Sequence, residues 1–337
     1  TQELGGAVID WVDGLFPNLV YHTKTYEIHK TSDMEKGLDM KVNATFKLYT
    51  DITVNEDSLY TGLVEMERNK AWTERHLYDR INATFQSAGN EKYSLTFDGG
   101  SDDSGGILSR ENSVGQVLNW GQYEFNNLDQ ITFRDICNAK CDENLSYKSI
   151  VSANLLAGGV LGANDSLIKS CPGAKAGVKF TENNSILFSN IKADLQGEGD
   201  LVSNVTALGG AIFTVKGTTS FTYNDGDIRF ENIEIYSNTK GDIPINKTGL
   251  FEGAGGAIFT NGLTMDDNDG SVIFDHVGVY QEDDDLLIVN GLLKVSVTSG
   301  GAIYMVGDGS ISDNSGNVVF TNCYSVGGNL AWGGAIH

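Results

Sequence analysis

The residues with chemistry to offer in this sequence are carboxylates, cysteines and asparagines in glycan-acceptor strings. The densest acid runs are Asp266-Asp267-Asn268-Asp269-Gly270 and Glu282-Asp283-Asp284-Asp285, and Asp225, Asp227 and Asp313 fall in similar turns. Ca²⁺ is a hard cation that takes about six to eight oxygens, so stacked turns bearing Asp266, Asp267 and Asp269, or Asp283, Asp284 and Asp285, are candidate ligands. Met265 stands where an EF-hand would need its first ligand, which removes that motif. Acid runs of this kind are ordinarily solvated turns on a charged surface, and that reading takes precedence, with Ca²⁺ as the alternative cofactor. Cys137 and Cys141 flank a short loop and Cys171 follows in Ser-Cys-Pro. Three cysteines without a nearby histidine fall short of a zinc set. In an oxidising compartment two of them would form a disulfide, in a pairing the spacing leaves open. Seven Asn-x-Ser/Thr strings, at Asn43, Asn82, Asn144, Asn164, Asn183, Asn204 and Asn246, are glycosylation candidates in a eukaryotic secretory setting and chance occurrences otherwise.

Catalysis has little to stand on. The five histidines form no cluster, and from residue 195 onward five Lys or Arg face 18 Asp or Glu. A groove for an acidic polysaccharide would need the opposite sign. A hydrolase of neutral glycans working through two carboxylates is the alternative, without a motif behind it. No residue is assigned a catalytic role.

Composition sets the frame. The 337 residues include 41 glycines against three prolines, 40% hydrophobic residues, and a formal net charge of −22. Phosphate binding needs Lys and Arg that this chain lacks, so nucleic acid is excluded as a partner, as is an anionic membrane surface. No run approaches the roughly 20 apolar residues of a membrane-spanning helix. Four cysteines are too few for a disulfide scaffold.

What must position any site is a repeat. Gly-Gly-Ala-Ile occurs at 209–212, 255–258, 300–303 and 333–336, making Gly209, Gly210, Gly255, Gly256, Gly300, Gly301, Gly333 and Gly334 recurrent structural glycines. Weaker copies begin at Gly5, Gly105 and Gly158. A second element alternates with it: Phe133, Phe188, Phe230, Phe274 and Phe320 each follow an apolar residue by two, and each has Ile, Val or Cys three residues later. The residue two after Phe is Asp135, Asn190, Asn232, His276 or Asn322, a candidate ladder at a bend, which makes His276 a structural residue. Cys323 takes the place of Ile or Val at an inward position, as a buried thiol. Period-two alternation marks half-buried strands, and Asn-Asp-Gly or Asn-Ser-Gly turns precede the last three Phe strands. A unit near 45 residues with two strand segments and no helix signals reads as a β-solenoid. The fold expected is all-β: a right-handed parallel β-helix with about two coils per repeat, the Phe residues stacking on alternate coils.

This alternation of Gly-Gly-Ala-Ile with Phe-centred strands resembles the repeats of the chlamydial polymorphic membrane protein family, over about residues 97–337. In that family the Asn falls three after Phe, as in Phe180-Thr181-Glu182-Asn183 here; the Phe188, Phe230 and Phe320 strands carry it two after. The resemblance implies an autotransporter-passenger-like β-helix at a cell surface. Residues 97–337 are accordingly expected to be part of a longer passenger or filament. Residues 1–96 hold 10 of the 23 basic residues and lack a clear Phe strand of the later type, although Phe46 and Phe85 each end an Asn-Ala-Thr-Phe string. Solenoids hide their end edges under atypical segments, so 1–96 is expected to be a cap or irregular first coils. The functional expectation is a secreted, non-enzymatic structural or adhesive rod, self-associating or binding other surface proteins or glycans. The alternative is a β-helix glycoside hydrolase or lyase.

Overall fold

The computed structural model describes residues 24–34, 44–54, 83–98, 118–119, 122–138, 156–157, 161–163, 177–195, 205–214, 217–237, 251–282, 287–289, 292–294, 297–327 and 330–337. Apart from one helical turn at 31–34, the regular structure there is strand. The strands fall into four parallel sheets, and each complete repeat gives one strand to each. The first sheet has eight strands, from Lys24–Ile28 through Gly177–Thr181, Thr218–Thr222 and Gly262–Asp266 to Gly309–Ser312. The second runs from Ile52–Val54 through Gln130–Asn138, Ser185–Leu195, Ile228–Ser237 and Val272–Gln281 to Val318–Thr321. The third and fourth are five-stranded and meet at the Gly-Gly-Ala segments, as where Phe251–Ala254 of the fourth leads into Ile258–Thr260 of the third. One antiparallel pair, Leu287–Val289 with Leu292–Lys294, joins no other strand among the described residues.

The register overturns the expectation of two coils per repeat. Phe188 lies opposite Phe230, Phe230 opposite Phe274, and Phe274 opposite Phe320, so neighbouring strands are one full repeat apart and each repeat makes a single pass through all four sheets. Phenylalanine therefore stacks on every pass, not on alternate ones. The physical reason is that two strand segments were visible in each repeat where four exist. The Phe strand is one; the short strands around Gly-Gly-Ala-Ile supply two; the fourth belongs to the first sheet.

Two aromatic columns fill the interior. One runs Phe97, Phe133, Phe188, Phe230, Phe274, Phe320 with ring centroids 4.8, 4.8, 4.9, 4.6 and 4.8 Å apart. The other, inside the first sheet, runs Tyr26, Phe46, Phe85, Phe125, Phe180, Phe221 at 5.7, 5.0, 5.1, 4.8 and 4.6 Å. These spacings follow the roughly 4.8 Å between hydrogen-bonded strands, which forces identical side chains in register into parallel stacks. The columns meet edge to face, as at Phe180 with Phe188 and Phe221 with Phe230. Ile186, Ile228 and Val272, with Ile191, Ile233 and Val277, complete one continuous core that also takes in Ile28, Phe46 and Phe85.

The sheets cross residue 96 without a break. Lys24–Ile28, Ala44–Leu48 and Ala83–Ser87 pair in sequence with one another and then with Gln122–Asn126. The Asn-Ala-Thr-Phe strings are thus strands of the first sheet, with Phe46 stacked on Phe85. Beside them, the Thr31 hydroxyl of the helical turn donates to the Thr53 carbonyl on the outermost strand of the second sheet (3.1 Å), and Met34 is buried in the core.

Candidate functional site

The glycines occupy the tightest corners. Gly209, Gly255, Gly300 and Gly333 have φ of 67°, 69°, 58° and 60°, the left-handed region in which a side chain is strained. The following glycines stack main chain on main chain: Gly210 N–H donates to Gly255 O (3.2 Å) and Gly256 N–H to Gly300 O and Gly301 O (3.2 and 3.1 Å). A Cβ on Gly256 would overlap the Gly301 carbonyl. Ala257 and Ile258 then turn inward and are fully buried.

The residues two after Phe sit at a bend for a backbone reason. Asp135, Asn190, Asn232, His276 and Asn322 all have φ between 51° and 54°. Asn, Asp and His are the non-glycine residues that enter this region most readily. Their side chains lie on the surface and touch across passes: Asn190 Nδ2 donates to Asp135 Oδ1 (3.0 Å) and Asn232 Nδ2 to Asn190 Oδ1 (3.3 Å). His276 Nε2 is 3.4 Å from Asn322 Nδ2, within the same row.

A second asparagine ladder lies inside, and sequence reasoning missed it. Asn183, Asn224 and Asn268 are fully buried or nearly so, with Asn314 continuing the row. Each Nδ2 donates to a main-chain carbonyl of the preceding pass and to the Oδ1 of the next asparagine. For Asn224 the acceptors are Phe180 O (3.2 Å) and Asn268 Oδ1 (2.9 Å), while Asn224 Oδ1 accepts from Asn183 N–H (3.0 Å) and Asn183 Nδ2 (3.1 Å). Asn268 repeats the pattern with Phe221 O and Asn314 Oδ1. Its signal in the sequence is the Asn of each Asn-Asp-Gly turn, three after Phe221 and three after Met265, a position that turn chemistry alone also favours.

This ladder also decides one glycan site. Asn183 is 0% exposed and its amide nitrogen makes two hydrogen bonds, at 2.9 Å to Phe125 O and 3.1 Å to Asn224 Oδ1. The folded chain has no room for a glycan there. Asn43, Asn82, Asn144, Asn164, Asn204 and Asn246 lie outside the described residues, as do Asp283, Asp284, Asp285, Cys141 and Cys171. Cys137 stands in the second sheet opposite Lys192. Cys323 is half-buried and free, and burial raises its thiol pKa.

The remaining calcium candidates are engaged in turn contacts. Asp266 Oδ1 accepts from Ser310 Oγ and from the Ser312 N–H, both at 2.8 Å. Asp267 occupies a left-handed position with φ of 58°, and Asp269 Oδ1 accepts from Ser315 Oγ (3.3 Å). Among the described residues no group of three His, Cys, Asp or Glu is arranged to hold a metal ion. Nor, among those residues, is any helix long and apolar enough to cross a membrane.

On the outer face of the second sheet, Tyr324 lies flat across Gly278 and its hydroxyl donates to Glu234, two passes away. Burial and this carboxylate raise the Tyr324 phenol well above its ordinary value. Tyr236 stacks on Tyr280, takes the Lys192 ammonium over its ring at 4.5 Å, and donates its hydroxyl to Glu282. These contacts tie successive passes together. No protein-family model, curated protein or solved structure matches this chain.

Proposed function

We propose that the chain is a right-handed parallel β-helix serving as a non-enzymatic structural or adhesive rod, secreted to a cell surface or an extracellular filament. The observation that carries this reading is the unbroken one-repeat register of the first two sheets, each eight strands or nearly so along the axis, with aromatic and asparagine columns inside. The buried asparagine amides satisfy one another and the main chain within the ladder, which stiffens the stack. The resemblance to chlamydial polymorphic membrane protein repeats supports a surface role. Surface turns vary without touching the columns, so they are where contacts with other surface proteins, glycans or attached sugars belong. Self-association is part of the proposal, because unpaired strand edges serve as templates for pairing with another chain.

Negative-stain electron microscopy of the protein as isolated from its source, with intact-mass analysis of the same sample, tests the reading. Rods or filaments whose width is constant along their length support it. Compact particles without a long axis, or turnover of a neutral glycan that disappears when a surface acid pair is changed to Asn or Gln, overturn it.

A further inference from the structure

Lys92, in the turn between strands Ala83–Ser87 and Leu95–Asp98, reaches across two passes of the chain. Its Nζ lies 2.8 Å from Asn184 Oδ1, 2.9 Å from Glu182 O and 3.3 Å from Asp225 Oδ2, and three quarters of the side chain is covered. The Asn184 Nδ2 in turn donates to Asp129 Oδ1 at 2.7 Å. A lysine nitrogen hydrogen-bonded to a carboxamide oxygen, with one carboxylate on the amine and another on the amide nitrogen, places a nucleophile, an electrophile and two proton carriers side by side.

We propose that Lys92 and Asn184 form an intramolecular isopeptide bond. Nζ attacks Asn184 Cγ; the Nζ–Cγ bond forms and the Cγ–Nδ2 bond breaks. Two of the three protons on the lysine ammonium leave with Nδ2, which departs as ammonium, so atoms and charge balance without oxidant or cofactor. Asp225 takes the first proton from Nζ and gives it up to the released ammonia, and the second reaches the departing nitrogen through Asp129, so both carboxylates end ionised. The main chain holds the partners in place: Asn184 N–H donates to Leu128 O (2.9 Å), Asp129 N–H to Tyr93 O (2.9 Å) and Asp225 N–H to Asn183 O (2.8 Å). Fixing reacting groups this way replaces a bimolecular encounter by a unimolecular step. The product would staple the pass containing Lys92 to that containing Asn184, across the intervening pass of Asp129. The inference is independent of the rod's biological role.

Intact-mass measurement and tryptic mapping of the full chain test it, on fresh protein and after incubation at alkaline pH. The mass should fall short of the sequence by one ammonia. The segment 81–110 should appear uncut at Lys92 and joined to 180–192. Formation should quicken as pH rises, because only the neutral amine attacks. Lys92→Arg keeps the positive charge and should restore the full mass, and Asp129→Asn should slow formation while the fold persists. Loss of ammonia that survives Lys92→Arg would be a succinimide made by Asn184 alone and would overturn the proposal. So would full mass with cleavage at Lys92 after prolonged alkaline incubation, a result read on the unaltered protein whatever the variants do.

Discussion

At the residue scale, the stacked phenylalanines and the buried asparagines contribute differently. Phe188, Phe230 and Phe274 are 0% exposed, each stacked on the rings before and after it. Phe230→Ala removes a ring from the middle of that column and leaves a cavity that the paired backbones cannot close, at an expected cost of about 3–5 kcal/mol. Chemical denaturation followed by far-ultraviolet circular dichroism reads this, and a loss under about 1 kcal/mol would show that the column is not packed as described. Asn224 is the sharper test because it works through hydrogen bonds. Asn224→Asp is nearly isosteric but replaces the donor to Phe180 O and Asn268 Oδ1 by an oxygen. The new carboxyl keeps one of those bonds only when protonated, so burial and the facing oxygens hold its pKa above the ordinary ~3.9. The folded state then binds the proton more tightly than the unfolded state. Variant stability relative to the unaltered protein is therefore greatest at acid pH and falls as pH rises from about 4 through the raised value. Thermal melts of both proteins between about pH 4 and 8 would show the gap widening with pH; a constant gap would place the side chain in water.

At the element scale, the corners and the insertions make opposite predictions. Gly256→Ala drives a methyl into the Gly301 carbonyl of the next pass, where both atoms belong to paired backbones and neither can swing aside. Overpacking of this kind costs about 1–3 kcal/mol, and a melting temperature unchanged from the parent would contradict the backbone stacking. The strand pair Leu287–Val289 and Leu292–Lys294 joins no other described strand and falls between Val272–Gln281 of the second sheet and Val297–Ser299 of the fourth. Replacing it by a short flexible linker should shift the melting temperature less than Phe230→Ala does. The same contrast explains what was legible in the sequence. The Phe strands were legible because Ile186-x-Phe188 and its copies alternate inward and outward residues in a run long enough to show a period of two. The Gly-Gly-Ala-Ile corners were legible because each puts two glycines in a row, one at positive φ and one, at Gly210, Gly256 and Gly301, against the next pass, where a Cβ would overlap main-chain carbonyls. Three things were not. The third- and fourth-sheet strands flanking the glycines are three or four residues long, too short to show a period, and so two passes were inferred where one exists. The first-sheet column tolerates Met265 and Ile311 where earlier passes have Phe180 and Phe221, so its aromatic signature fades along the chain. The asparagine ladder hid inside a turn signal, since Asn before Asp-Gly is what a turn and a buried amide row both select.

At the scale of the whole molecule, the stacking that aligns apolar rings also aligns charges. With 45 acidic and 23 basic residues and a register that places like positions one strand spacing apart, repulsion accumulates along the axis. Some of it is relieved locally: Arg134 bridges to Asp98 at 2.7 Å, Arg229 to Glu231 at 2.8 Å and Asp227 at 3.2 Å, and Lys179 approaches Glu124 at 3.9 Å. In the turns that follow, Asp266 accepts from the Ser310 hydroxyl and the Ser312 N–H, and Asp269 from the Ser315 hydroxyl. Monovalent salt should therefore stabilise the fold. Raising NaCl from about 10 to 150 mM shortens the screening length from about 30 to 8 Å, enough to uncouple acids on neighbouring turns while leaving contact pairs intact. The expected outcome is a melting temperature that climbs over this range and then levels. Calcium separates a diffuse field from a built site. At matched ionic strength, millimolar CaCl₂ should raise the melting temperature no further than NaCl does if the carboxylates are solvated turn residues. A further saturable rise, abolished by Asp283→Asn with Asp285→Asn but not by Asp266→Asn, would instead assign a specific site to the acid run at 283–285. Such ligand-linked stabilisation grows with the logarithm of free calcium once the site is filled, whereas screening depends on ionic strength alone. A calcium titration at constant ionic strength therefore tells the two apart by the shape of the curve as well as by its height.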